Sequence, residues 1–116
     1  MSRISTHVLD TALGRPAAGV MVHLDYAEAS GEWREISALA TDDDGRCANL
    51  LPPDHAFIPG QYRLSFETGT YHQAQSVKGL YLTVDITVTV RPGDTHLHVP
   101  LLLSPNGYTT DRKTHV

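Results

Sequence analysis

Residues 81–90 read YLTVDITVTV, and this stretch decides the fold. Leu82, Val84, Ile86, Val88 and Val90 take every second position, and Tyr81, Thr83, Asp85, Thr87 and Thr89 take the others. Successive side chains of a strand point to opposite faces, so the run predicts a strand with one apolar and one polar face. Its valines, isoleucine and threonines also fit a pleated, half-buried surface.

Outward from this run the same period returns. Val20, Val22, Leu24 and Tyr26 alternate with Met21, His23 and Asp25. Tyr62, Leu64 and Phe66 alternate with Arg63, Ser65 and Glu67. Leu97, Val99, Leu101 and Leu103 alternate with His96, His98, Pro100, Leu102 and Ser104. Turn residues separate the runs: Gly14-Arg-Pro16, Ala29-Ser-Gly31, Asp42-Asp-Asp-Gly45, Pro59-Gly60, Arg91-Pro-Gly-Asp94 and Pro105-Asn-Gly107. Glycine supplies positive φ there, Asp and Asn bond their own backbone, and Pro fixes φ. About seven or eight short strands at this spacing predict an all-β, two-sheet antiparallel β-sandwich. One short helix is expected over residues 71–78 (YHQAQSVK), stopped by Gly79 as C-cap.

The 116 residues fit a single domain spanning 1–116. With 41% hydrophobic and 19% charged residues, the composition is that of a soluble globular chain. A net charge of -4 gives no reason to expect nucleic acid or an anionic membrane as partner. The one cysteine, Cys47, excludes an intramolecular disulfide and a cysteine-cluster metal site. The opening residues MSRISTHVLD hold no apolar signal core, and no apolar run approaches the length of a bilayer span. Cytoplasm is the expected compartment.

Two sheets packed about 10 Å apart fill the space between them with side chains. A site is therefore expected on an outer face, in loops, or between subunits. His96 and His98 share the face opposite the Leu97–Val99 set. Three readings fit that pair. They are two solvated surface histidines, or a metal pair completed by His7, or an acid–base site whose neighbouring imidazoles keep one another neutral near pH 7. His7 shares its face with Ser5 and Leu9 if residues 4–9 form a strand. Arg46 follows the acidic turn at residues 42–44. It suits a salt bridge to that turn or a guanidinium fork for an anionic or carbonyl-rich ligand. The acidic run lacks the spacing and the bidentate Glu of a calcium loop. Cys47 receives no role, as a lone cysteine beside a turn is more often a small buried residue.

Several longer motifs, in order, resemble the transthyretin-related family in its 5-hydroxyisourate hydrolase branch. They are Ser5-Thr-His-Val-Leu-Asp-Thr-Ala12 with Gly14-Arg-Pro-Ala17, and Thr41-Asp-Asp-Asp-Gly-Arg46. Pro59-Gly-Gln-Tyr-Arg-Leu-Ser-Phe66 and Thr68-Gly-Thr-Tyr71 follow, then His98-Val-Pro-Leu-Leu-Leu-Ser-Pro105 and Gly107-Tyr-Thr-Thr110. The enzyme branch has His in its first strand, Arg after the acidic turn and His before Val-Pro-Leu-Leu-Leu. His7, Arg46 and His98 match, which favours the enzymes over the carriers.

The resemblance implies hydrolytic ring opening of 5-hydroxyisourate, a purine derivative, without organic cofactor or metal. His7, Arg46 and His98 would be catalytic, and His96, Arg112 and Thr114 would contact the substrate. It also implies a homotetramer, a dimer of dimers, with sites in a channel between dimers. The family's terminal Tyr-Arg-Gly-Ser is here Asp111-Arg112-Lys113-Thr114, followed by His115-Val116, and a family proline is replaced by Leu82. The rival function is a transthyretin-like small-ligand binder without turnover; a metal hydrolase using His7, His96 and His98 is the third.

Overall fold

A computed structural model describes residues 2–111. The strands, in chain order, are β1 (Arg3–Asp10), β2 (Arg15–Pro16), β3 (Met21–Ala27), β4 (Trp33–Ala40), β5 (Arg46–Cys47), β6 (Gly60–Phe66), β7 (Val84–Val90), β8 (His96–Ser104) and β9 (Gly107–Thr110). One helix, α1 (Thr68–Ala74), lies between β6 and β7. One sheet has the order β2-β1-β8-β9, with β5 also paired to β1; the other has the order β4-β3-β6-β7. The two-sheet sandwich expected from the alternation is therefore the observed architecture.

The core lies between the sheets. Ile4 and Val8 from β1, Leu97, Val99, Leu101 and Leu103 from β8, Val22 and Leu24 from β3, and Tyr62, Leu64 and Phe66 from β6 are all buried. Each such side chain contributes about 1.5–3 kcal/mol by leaving water. Buried faces also fix register, because a one-residue slip would turn every apolar side chain outward.

Three details depart from the sequence reading. First, the pairing is antiparallel except between β1 and β8, which run parallel. The two strands are far apart in sequence, so no hairpin forces them into opposite directions. Second, Leu82 is not on the core face: it is 80% exposed, and β7 begins only at Val84. The residues ahead of β7 bond elsewhere. Leu80 N–H donates to the Pro105 carbonyl (2.7 Å), and Gly69 N–H donates to the Leu82 carbonyl (2.9 Å).

Third, the helix starts at Thr68 and ends at Ala74, ahead of the expected span. Ser76, at φ +59°, takes the left-handed position. Ser76 N–H then reaches the Gln73 carbonyl (3.0 Å) and Val77 N–H the His72 carbonyl (2.9 Å), which closes the helix in a Schellman arrangement. Gly79 serves packing instead, since a Cβ there would come 2.7 Å from Cδ2 of buried His72.

Candidate active site

The outer face of the β2-β1-β8-β9 sheet gathers most of the sequence-predicted residues. In the parallel ladder, Arg3 stands opposite His96 and Ser5 opposite His98. On the other side of β1, His7 stands opposite Arg46 of β5. Partners opposite one another share a face, so the three strands bring Arg3, Ser5, His7, Arg46, His96 and His98 onto one surface. A depression of about 240 Å³ opens among Arg3, Ser5, Thr6, Arg46, Cys47, Ala48, His96 and His98. His7 lies one step further along β1, outside that lining. Arg112 and Thr114 lie outside the described residues.

Arg46 is held by its turn. One Asp42 carboxylate oxygen accepts the N–H groups of Asp44 and Arg46, each at 2.9 Å. Asp42 N–H donates to the Arg46 carbonyl and Gly45 N–H to the Asp42 carbonyl, both at 2.9 Å. Gly45 adopts φ +76°, and its carbonyl accepts Val8 N–H at 2.7 Å, which ties the turn to β1. Thr41, buried, donates its hydroxyl to the Ala17 carbonyl (2.6 Å) and accepts Val20 N–H (2.9 Å). The acidic run thus spends its leading carboxylate on its own backbone. Among the described residues, the Arg46 guanidinium forms no ion pair with these acids. It stands exposed at the rim of the depression.

The two imidazoles meet at Ser5. Its hydroxyl lies 3.0 Å from His96 Nε2 and 2.9 Å from His98 Nδ1. Arg3 donates its Nε–H to the same His96 Nε2 at 3.2 Å. The ring centroids of His96 and His98 are 6.5 Å apart. Burial, and then the Arg3 charge, push the His96 pKa below its ordinary 6.5, so this imidazole is neutral at physiological pH. Cys47, beside Thr6 on the inner side, is buried, and burial followed by the Asp42 charge raises its thiol to about 11. It stays protonated and is no nucleophile.

Ser5 and Arg3 were not among the residues the sequence singled out. Ser5 shares the alternating face of His7, but nothing local reveals that it stands opposite His98, because that depends on a parallel pairing across 93 residues.

This surface can polarise a carbonyl with a guanidinium and move a proton through imidazole. The family model described as the HIUase/Transthyretin family matches residues 4–112. The chain is 42% identical over 112 residues to the 5-hydroxyisourate hydrolase of Mus musculus, covering 96% of this chain and 94% of that protein. It is 38% identical over 109 residues to that of Salmonella typhimurium, covering 94% and 79%. Among solved structures, transthyretin from Sparus aurata superposes with a TM-score of 0.92 at 28% identity, over the whole of both chains. The 5-hydroxyisourate hydrolase of Klebsiella pneumoniae gives 0.82 at 32% identity, covering 97% of this chain and 99% of that one. Transthyretin and the hydrolase share this backbone, and the family match extends along nearly the whole sequence: the chain belongs to the HIUase/Transthyretin family.

Proposed function

We propose that this protein is a 5-hydroxyisourate hydrolase that opens its substrate's ring without a metal, as a cytoplasmic homotetramer. One observation carries the reading. The fold brings His7, Arg46 and His98 from three separate strands onto one outer face, beside a depression of about 240 Å³. Named 5-hydroxyisourate hydrolases at 38–42% identity support the substrate.

Water attacks a ring carbonyl, and its proton passes to an imidazole of the His7/His98 set. The Arg46 guanidinium faces the carbonyl oxygen as charge develops there, with two or more N–H donors for one planar group. The ring C–N bond then breaks, and the leaving nitrogen takes a proton from an imidazole. His96 borders the substrate, and Arg112 and Thr114 bond it from the C-terminal segment. A metal bound through His96 Nε2 would have to displace the Arg3 Nε–H that donates to that atom, which supports reaction without a metal. A tetramer suits a site on an open face, where a second subunit would complete the walls.

The test is to add the protein to freshly oxidised urate and follow the decay of the 5-hydroxyisourate absorbance. Accelerated decay that survives a strong chelator supports the proposal. Decay at the buffer rate would leave a ligand-binding member of the same family, and activity lost to the chelator would restore the metal reading.

A further inference from the structure

We infer that Arg3, Ser5 and His96 form a one-way hydrogen-bond relay that fixes the tautomer of His98 and places its lone pair on Nε2. The inference rests on the hydrolase reading only for its kinetic consequence; the proton positions follow from the geometry.

A guanidinium has no acceptor, so Arg3 Nε must donate across the 3.2 Å contact. His96 Nε2 must therefore carry a lone pair. The proton of neutral His96 sits on Nδ1, and the Ser5 hydroxyl, 3.0 Å from that same Nε2, can only donate to it. A hydroxyl has one proton. Once that proton points at His96, Ser5 Oγ can only accept on its other side, where His98 Nδ1 lies 2.9 Å away. His98 Nδ1 must then carry a hydrogen, and neutral His98 keeps its lone pair on Nε2. The order reads Arg3 Nε–H to His96 Nε2, Ser5 O–H to the same nitrogen, and His98 Nδ1–H to Ser5 Oγ.

Three features hold the relay in place. The parallel register sets Arg3 opposite His96 and Ser5 opposite His98. Ser5 is 8% exposed, so water competes poorly for its hydroxyl. The Arg3 charge and burial both disfavour protonation of His96, which would reverse the order.

In the hydrolase, His98 Nε2 is then the atom that takes the proton of water as the water oxygen bonds to the ring carbonyl carbon. The same proton is later given to the ring nitrogen when the C–N bond breaks, so no other reactant is needed. Arg3, Ser5 and His96 act through His98 and are positioning residues in this sense. The partner on the far nitrogen sets which ring nitrogen of a histidine is basic, and here that partner is a serine rather than a carboxylate.

The experiment is long-range nitrogen–proton NMR on histidine-labelled, full-length protein at a pH where the imidazoles are neutral, joined to kinetics. In the wild type, His98 should show a protonated Nδ1 and an unprotonated Nε2, and His96 the same. Ser5→Ala should shift His98 toward the opposite tautomer and lower kcat roughly 10- to 100-fold with little change in KM. Ser5→Thr, which keeps the hydroxyl, should restore both. A wild-type His98 protonated on Nε2 overturns the relay without any variant, as does a Ser5→Ala protein whose His98 tautomer is unchanged. Wild-type protein with the stated tautomers but no turnover would overturn the hydrolase reading and leave the relay intact.

Discussion

His7 and Arg46 stand directly opposite one another across the two-residue ladder between β1 and β5. Directly opposed residues on one face have Cβ atoms about 5 Å apart, so one small planar ligand can touch both. Replacing Arg46 removes a fixed fork of donors. Arg46→Ala should lower kcat/KM about 100-fold or more, in line with the loss of a donor to a developing oxyanion. Arg46→Lys keeps the charge but not the fork and should recover only part of it. Steady-state kinetics of the two variants check this, and full activity in Arg46→Lys would contradict the bidentate role.

Gly45 sets where Arg46 begins. It sits at φ +76°, and a Cβ there would run into the Val8 carbonyl oxygen that flanks it and lie 3.1 Å from Pro16 Cβ. Gly45→Ala should therefore cost roughly 1–3 kcal/mol of stability and reduce activity as well, because the turn cannot relax without moving Arg46. Chemical denaturation and kinetics on the same sample measure both. Gly31→Ala is a control: φ is +91°, no atom lies within 4 Å, and the residue sits in the turn between β3 and β4 of the other sheet. It should destabilise without selectively reducing turnover.

On the other sheet, Arg63 pairs with Asp25 at 3.0 Å and lies over the Trp33 ring, 4.4 Å from its centroid. Asp25 is only 8% exposed, so removing the guanidinium leaves a nearly buried carboxylate unpaired. Arg63→Ala should destabilise by about 2 kcal/mol while leaving kcat unchanged. The double variant with Asp25→Ala should lose less than the sum of the single losses. Additive losses in a double-mutant cycle would show that the pair is uncoupled.

His23 carries a pH dependence. Its Nε2 lies 2.5 Å from Glu67 and its Nδ1 2.7 Å from Glu35, and these bonds, Glu67 first, raise its pKa above 6.5. A raised folded-state pKa means the protonated form is favoured by folding. The contribution is fully present below about pH 6.5 and is lost as pH rises through the folded value. The three side chains are 31–57% exposed, so screening limits the effect to about 1 kcal/mol or less. The melting temperature should fall slightly more between pH 6 and 8 for the wild type than for His23→Gln. Parallel pH profiles would refute the linkage.

Much of this architecture was legible in the alternation of residues 20–26, 62–66, 84–90 and 97–103, since burial of one face imposes a period of two. Leu82 obeyed that period and still lies in solvent, because its backbone bonds Gly69 rather than a ladder partner. The helix was misplaced because Ser76 adopts a positive φ that sequence reading assigns to glycine. His96 and His98 were legible as outward-facing residues, and His7 only as sharing a face with Ser5 and Leu9. Their convergence with Arg46 came only from the family resemblance and not from local pattern, as it depends on β1 lying between β5 and β8. Ser5 escaped notice for the same reason: its place between two imidazoles is a property of register, not of local sequence.

The central claim is that the His7–Arg46–His98 face opens the ring of 5-hydroxyisourate. It is tested most directly by following freshly generated 5-hydroxyisourate with wild-type protein, with His98→Ala and in buffer alone. Rapid decay with wild type and a loss of about 100-fold or more in His98→Ala is the expected result. Equal decay in all three would contradict it.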